Sequence, residues 1–125
     1  MPQKQKSVSG CQINFPNGKY ESKFTSVYHY PDKIQISSTE DHGTVTYSAV
    51  LLLKSETTSG TYTIPSNDIL ELSYIESNIT KTTALSGTVT LEIDRSKNIY
   101  IADFKVTVSP EASPYEIEGR IAVVN

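Results

Sequence analysis

Glu116 and Glu118 stand two residues apart near the end of the chain, and in extended backbone such a pair lies about 6.6–6.8 Å apart on one face. That is close to the carboxylate spacing of inverting glycosidases, in which one group protonates the leaving oxygen and the other activates water. Any acidic i, i+2 pair in a strand shares this spacing. Arg120 beside the two glutamates makes them equally an ordinary charged solvent face that discourages edge pairing. A hydrolase using Glu116 and Glu118 is therefore an alternative with one support. His29 and His42 are the only histidines, too few for a three-ligand zinc site unless carboxylates complete it. His29, between Tyr28 and Tyr30, is expected to face solvent, and His42 to sit in a turn. The single cysteine, Cys11, can form neither an intramolecular disulfide nor a cysteine-based zinc site. There is no Gly-x-Ser-x-Gly turn to expose a serine nucleophile. These residues predict no catalytic cluster, no metal and no cofactor.

The tyrosines carry more. Of eight, Tyr20, Tyr28, Tyr30, Tyr47, Tyr62, Tyr74 and Tyr115 read as in phase with the aliphatic face of their strands, and Tyr100 as out of phase. An inward tyrosine needs a partner for its hydroxyl or a route to water. Either the rings sit at the ends of the fold with hydroxyls at the rim, or Tyr28, Tyr30, Tyr47, Tyr62 and Tyr74 line a ligand cavity. Thr-x-Thr pairs at Thr44/Thr46, Thr61/Thr63, Thr80/Thr82 and Thr88/Thr90 lack the constant repeat of an ice-binding array and read as polar faces of separate strands. Asn78-Ile79-Thr80 matches a glycosylation sequon, relevant only in a eukaryotic secretory setting.

The elements that position these groups are strands. Tyr115, Ile117, Gly119, Ile121 and Val123 alternate with Glu116, Glu118, Arg120 and Ala122, a period of two that gives one apolar and one polar face. The same alternation predicts about nine strands, near residues 9–15, 19–30, 33–38, 44–53, 60–64, 69–76, 87–93, 99–108 and 115–123. In the second, Tyr20, Phe24, Tyr28 and Tyr30 share a phase. In the sixth, Leu70, Leu72 and Tyr74 point inward. Residues 77–85 show no clear pattern. In the eighth the apolar positions slip from Ile99 and Ile101 to Phe104, Val106 and Val108, which predicts a β-bulge near Ala102 and Asp103. Asn17-Gly18 suits a tight turn. Residues 94–98 read as a hairpin link.

Short polar links and no helical crossover predict antiparallel pairing. The expected fold is all-β, a single antiparallel β-sandwich, with an up-and-down lipocalin-like β-barrel as the alternative. At 125 residues the chain fits one domain, residues 10–125, behind a flexible polar tether, residues 1–9. Ser and Thr make up about a quarter of the residues, well above a typical soluble domain. A net charge of -3 with interleaved signs leaves no basic footprint, so nucleic acid is not an expected partner. No apolar run of about 18 residues could span a membrane as a helix, and residues 1–10 have no apolar core for a signal peptide.

The segments Ile13-Asn-Phe-Pro-Asn-Gly-Lys-Tyr20, Ser59-Gly-Thr-Tyr-Thr-Ile64, Ser86-Gly-Thr-Val-Thr-Leu91, Asp103-Phe-Lys-Val106 and Ile117-Glu-Gly-Arg-Ile121 together resemble small β-rich lipoprotein domains of Bacteroidetes-type bacteria. The resemblance spans about residues 11–124 and rests on glycine turns and alternation. It implies an exported protein of the cell envelope or the extracellular space, lipid-tethered if a leader precedes the chain, and assigns no functional residues. A cytoplasmic location is the alternative. The expected function is a non-enzymatic binding or surface-assembly module, whose partner is a protein or a small molecule. The alternatives are a small-ligand carrier with a tyrosine-lined cavity and the Glu116/Glu118 hydrolase.

Overall fold

The computed structural model describes residues 9–16, 18–41, 43, 46–76, 80–109 and 114–124. Most of the expected tether, the Asn17 position of the first turn, His42, Thr44 and the start of the sequon lie outside these residues. Among those described, the strands are β1 (Gly10–Phe15), β2 (Gly18–Ser22), β3 (Thr25–His29), β4 (Lys33–Asp41), β5 (Thr46–Lys54), β6 (Gly60–Ile64), β7 (Ile69–Glu76), β8 (Thr80–Asp94), β9 (Ile99–Ser109) and β10 (Tyr115–Val123). A 3₁₀ turn at Arg95–Lys97 joins β8 to β9, capped by the Asp94 carboxylate and closed by Asn98 in the left-handed region. The chain is all-β, as its alternation predicts.

These strands form one antiparallel sheet in the order β2-β1-β10-β9-β8-β7-β5-β4-β3, with β6 also on β8. The two ends of that order, β2 and β3, are consecutive in the chain and separated only by Lys23 and Phe24. The sheet therefore curls until one bent ribbon bridges its edges. Side chains hold this seam: the Tyr20 and Ser38 hydroxyls lie 2.9 Å apart, Ser22 Oγ donates to the Thr39 carbonyl at 2.9 Å, and Thr25 Oγ1 donates to the Ala122 carbonyl at 2.8 Å. The result is a nearly closed barrel. Its inward faces share one hydrophobic cluster, so the sandwich and barrel expectations differ only in whether the two ends of the order count as joined.

Alternation fills that interior. Cys11 and Ile13 of β1, Ile34 and Ile36 of β4, Ala49, Leu51 and Leu53 of β5, and Ile117 and Ile121 of β10 are all buried. Each fully buried Ile, Leu or Val contributes about 1.5–3 kcal/mol, which lets the fold stand without a disulfide. Two glycines bend the wall on either side of β9. Gly87 pairs with Val106 and Gly119 with Phe104. A Cβ on Gly87 would run into the backbone of Lys105 and Val106; one on Gly119 would meet the Gln12 carbonyl and, at 2.9 Å, the Phe104 ring. Gly87 also has φ 125°, which disfavours other residues. Glycine kinks of this kind let a sheet curl into a barrel, and the Phe104 ring fills the space beside the bare backbone.

The structure corrects several phases. The ribbon of residues 19–30 is two strands, and the break at Lys23 and Phe24 shifts the inward set from even to odd positions. Thr25 and Val27 thus follow Tyr20 and Ser22 inward, Phe24, Tyr28 and Tyr30 turn outward, and His29 is exposed, as expected. In β9 there is no bulge at Ala102 and Asp103, because its pairing with β10 runs unshifted from Tyr100 to Val108. Tyr100, Ala102, Phe104, Val106 and Val108 all join the core, whereas Ile101 lies buried on the opposite face beside Ala122. The bulges fall elsewhere, at extra residues Leu70 in β7 and Leu85 in β8, where the registers shift. Each extra residue flips the alternation, so Leu70 faces out and Ile69 in, and both bulged leucines are exposed. The bulge at Leu85 also explains why residues 77–85 look patternless, since β8 begins at Thr80 and changes phase midway.

Candidate functional site

At one end of the barrel lie the strand termini Phe15 and Gly18, Asp41 and Thr46, Glu76 and Thr80, and Ser109 and Tyr115. The inward positions nearest this end are largely aromatic. Phe15 packs on Tyr74 with ring centroids 5.0 Å apart and on Tyr115 at 6.5 Å. Tyr74 meets Tyr20 edge-on at 5.5 Å and lies nearly parallel to Tyr47 at 6.2 Å. Tyr20, buried, also contacts Tyr47, while Phe15, Tyr47, Tyr74 and Tyr115 are partly buried. Each ring therefore gains edge and stacking contacts as well as burial.

Two carboxylates share this face. Tyr47 of β5 pairs directly with Glu40 of β4 on one side and Glu76 of β7 on the other, and directly opposed residues project to the same side of a sheet. Burial pushes the Tyr74 phenol well above its ordinary range, helped by the Glu76 charge and by Tyr47, Tyr20 and Tyr115. Burial raises Tyr20 too, and Glu40 adds to it against hydrogen bonds from Ser38 and Ser22. By alternation, Lys19, Lys81 and Lys105 project from the outer face of their strands, opposite the inward Tyr20, Thr82 and Val106. Among the described residues, the inward charges at this end are thus negative.

Two grooves also mark the described surface. One, of about 460 Å³, cuts across the seam between Cys11, Ser22, Lys23, Phe24 and Glu40, with the Phe24 side chain 70% exposed at its lip. Cys11 lies at its base with its thiol pushed up to about 12 by burial, partly offset by a hydrogen bond with Ser38. Such a thiol carries little thiolate at neutral pH and is a poor nucleophile. The other, of about 420 Å³, lies on the outer wall over Gly119 among Gln12, Asn14, Thr88 and Glu118. There Arg120 donates to both oxygens of Asp103 at 2.6 and 2.9 Å.

The sequence-derived candidates separate accordingly. Of the proposed cavity tyrosines, Tyr47 and Tyr74 come together. Tyr62 stands on β6, its hydroxyl donating to the Thr58 carbonyl at 2.6 Å. Tyr28 and Tyr30 are 55% and 44% exposed on the outer face, so they do not line the interior; the two-residue seam break that flipped their phase is the reason. Tyr100, read as outward, is buried, and His29 packs edge-on against it at 5.8 Å. Glu116 and Glu118 project outward, and Glu116 is 3.9 Å from Lys105. Thr61 and Thr90 share a hydroxyl contact of 3.1 Å across β6 and β8, the polar-face pairing expected of such threonines. Sequence reading missed Glu40 and Glu76 as members of the aromatic end. The signal was their register, since Glu40 sat in an apparent turn and only strand pairing sets both beside Tyr47.

Fold and site together define a small all-β protein, one antiparallel sheet nearly closed into a barrel, with an aromatic end. Compared with known protein families, curated proteins and solved structures, the chain matches none. No helix among the described residues is long and apolar enough to cross a membrane.

Proposed function

We propose that this chain is a non-enzymatic binding module that engages its partner through the aromatic end of the barrel. The observation that carries the reading is the gathering of Phe15, Tyr20, Tyr47, Tyr74 and Tyr115 at one end, most of them only partly buried. Rigid aromatic side chains supply large contact area at low entropic cost, which is why they recur in recognition surfaces. The groups best suited to bond-making are dispersed: Glu116 and Glu118 on the outer wall, Cys11 protonated at the seam, His29 against Tyr100. The resemblance to envelope lipoprotein domains supports a place in the bacterial cell envelope, where such a module would bind or assemble at the surface.

The carrier reading is favoured by one observation, the near closure of the sheet into a barrel. Its tyrosine set becomes Tyr47 and Tyr74 with Tyr20 and Tyr115; the first three pack on one another and Tyr115 packs on Phe15.

The test is a shift-mapping titration of the whole chain by NMR against a panel of small cationic, neutral and anionic compounds. Saturable shifts gathered at Tyr47, Tyr74 and Tyr115 with every probe recovered unchanged are expected. Chemical conversion of a probe, lost in the E116Q/E118Q variant, would replace this reading with the hydrolase. Fractionation of producing cells checks the location: the envelope fraction is expected, and recovery solely in the cytosol contradicts it.

A further inference from the structure

We propose that the outer wall of the barrel binds a neutral carbohydrate, seated in the groove over Gly119 and running along the wall toward Phe24. This site is separate from the aromatic end and adds a second ligand to the binding reading above.

The groove is built from mid-strand side chains that register aligns in two rows. In one, Gln12 of β1, Arg120 of β10, Asp103 of β9 and Thr90 of β8 are successive partners; in the other, Asn14, Glu118, Lys105 and Thr88 are. Directly opposed residues project to the same side of a sheet, and the rows lie about 6.6–6.8 Å apart. Between them Ile13, Phe104 and Val89 turn into the core, and Gly119 carries no side chain, so the floor is main chain. Every residue of the two rows lines the groove of about 420 Å³, a volume within the range of sites that hold small organic ligands.

The chemistry of the lining selects the ligand. Two carboxylates, Asp103 and Glu118, share the groove with two cations, Lys105 and Arg120, so no net charge favours a polyanion or a cation. The carboxylates only accept hydrogen bonds, the cations only donate, and Gln12, Asn14 and the threonines do both. Neighbouring hydroxyls of a sugar likewise donate and accept. A lipid or another apolar ligand would leave these groups without partners. A peptide added as a strand is excluded by topology: β1, β10, β9 and β8 are paired on both sides along this stretch, leaving no backbone edge to extend. Part of the lining is already fixed. Arg120 holds both Asp103 oxygens at 2.6 and 2.9 Å, and Gln12 Nε2 donates to Asn14 Oδ1 at 3.4 Å. These contacts leave further N–H groups on the guanidinium and lone pairs on the carboxylate, held in place before a ligand arrives, which lowers the ordering cost of binding.

Continuity gives the direction. Gln12 and Arg120 line the seam groove as well as this one, so the two depressions meet, and the exposed Phe24 ring stands at the lip of the second. A sugar ring has an apolar C–H face that stacks on such a ring. With Glu21 of β2 opposite Gln12, the first row crosses five strands, about 19 Å at the usual strand spacing, which is room for an oligosaccharide.

The probes are cellotetraose, maltotetraose, xylotetraose and mannotetraose, with tetraglycine and tetragalacturonate as peptide and anionic counterparts. Each is titrated to millimolar concentration into the whole chain while backbone amide signals are followed by NMR. At least one neutral tetrasaccharide should shift the amides around Gln12, Asp103 and Glu118 saturably, with an affinity that salt changes little. Asn14→Ala combined with Glu118→Ala should weaken it about tenfold. Phe24→Ala should weaken the tetrasaccharide more than the corresponding disaccharide, and Lys54→Ala in β5 should leave both unchanged. The substituted side chains are exposed, and native spectra from the variants separate lost recognition from lost folding. No saturable shift on this wall from any neutral probe, tighter binding there of tetraglycine or tetragalacturonate, or full affinity in the Asn14/Glu118 double variant overturns the assignment. Shifts confined to Tyr47, Tyr74 and Tyr115 overturn it too, while leaving the aromatic end as the binding surface.

Discussion

Gly119 shows how far a single position controls this barrel. Its backbone lies so close to Gln12 and Ile13 that any Cβ must push β1 aside or displace the Phe104 ring. Gly119→Ala should lower unfolding free energy by about 1–3 kcal/mol, the usual cost of overpacking. Gly18→Ala, where a Cβ would meet nothing within 4 Å, should stay within about 0.5 kcal/mol; urea denaturation of the two variants makes the comparison. Cys11 sets a pH dependence. Its thiol rises from 9.0 to about 12 in the fold, so the folded state holds the proton more tightly than the unfolded chain. The associated stability is complete below about pH 9 and is lost as pH climbs toward 12. Tyr20 and Tyr74, also raised, act in the same direction above their ordinary range. Chemical denaturation across pH 7 to 12 should therefore show a decline beginning near pH 9, shallower at its onset in Cys11→Ala. Much at this scale was legible: the odd-numbered apolar residues of β10 and the buried set of β1 follow directly from alternation. Glu40 and Glu76 were not, because a residue's neighbours across a sheet depend on a register that no local pattern states.

Individual strands were easier to find than their phase. The misread phases of β3, β7 and β8 trace to one extra residue or a short break, because a shift of one position exchanges the two faces of everything that follows. Leu70 and Leu85 are apolar residues that composition assigns to a core, yet each is the unpaired member of a bulge and faces outward. The apparent slip in β9 has the opposite explanation. Ile101 is buried on the far side of the sheet beside Ala122, so an apolar residue on each face mimics a change of phase. The distinction is measurable in stability. Leu70→Thr and Leu85→Thr should each change unfolding free energy by less than about 0.5 kcal/mol, whereas Ile69→Ala, at the inward position next to the bulge, should cost about 2–5 kcal/mol. Equal losses at Leu70 and Ile69 would mean that β7 carries no bulge.

At the scale of the molecule, closure depends on the seam more than on any ladder. Where β2 and β3 meet the rest of the wall, three side-chain bonds from Tyr20, Ser22 and Thr25 stand in for a strand pairing. An open edge held by side chains is the natural place for local unfolding to begin. Native-state hydrogen exchange should find the amides of β3 less protected than those of β5 and β9, and Tyr20→Phe should widen that gap at a cost of about 1 kcal/mol. Whether the sheet closes was not legible in sequence, since sandwich and barrel share the same alternation and differ only in which strands end the order. The ring-lined end was half legible: the tyrosines announced themselves, but only the folded register shows which of them meet. The most direct measurement is a set of ring-to-ring NOEs in tyrosine- and phenylalanine-labelled protein, read with and without a soluble paramagnetic probe. Contacts linking Tyr20, Tyr47 and Tyr74, and Phe15 with Tyr74 and Tyr115, together with probe broadening of Tyr47, Tyr74 and Tyr115, are the predicted result. Rings scattered without mutual contacts, or packed together yet untouched by the probe, would contradict an aromatic end open to a partner.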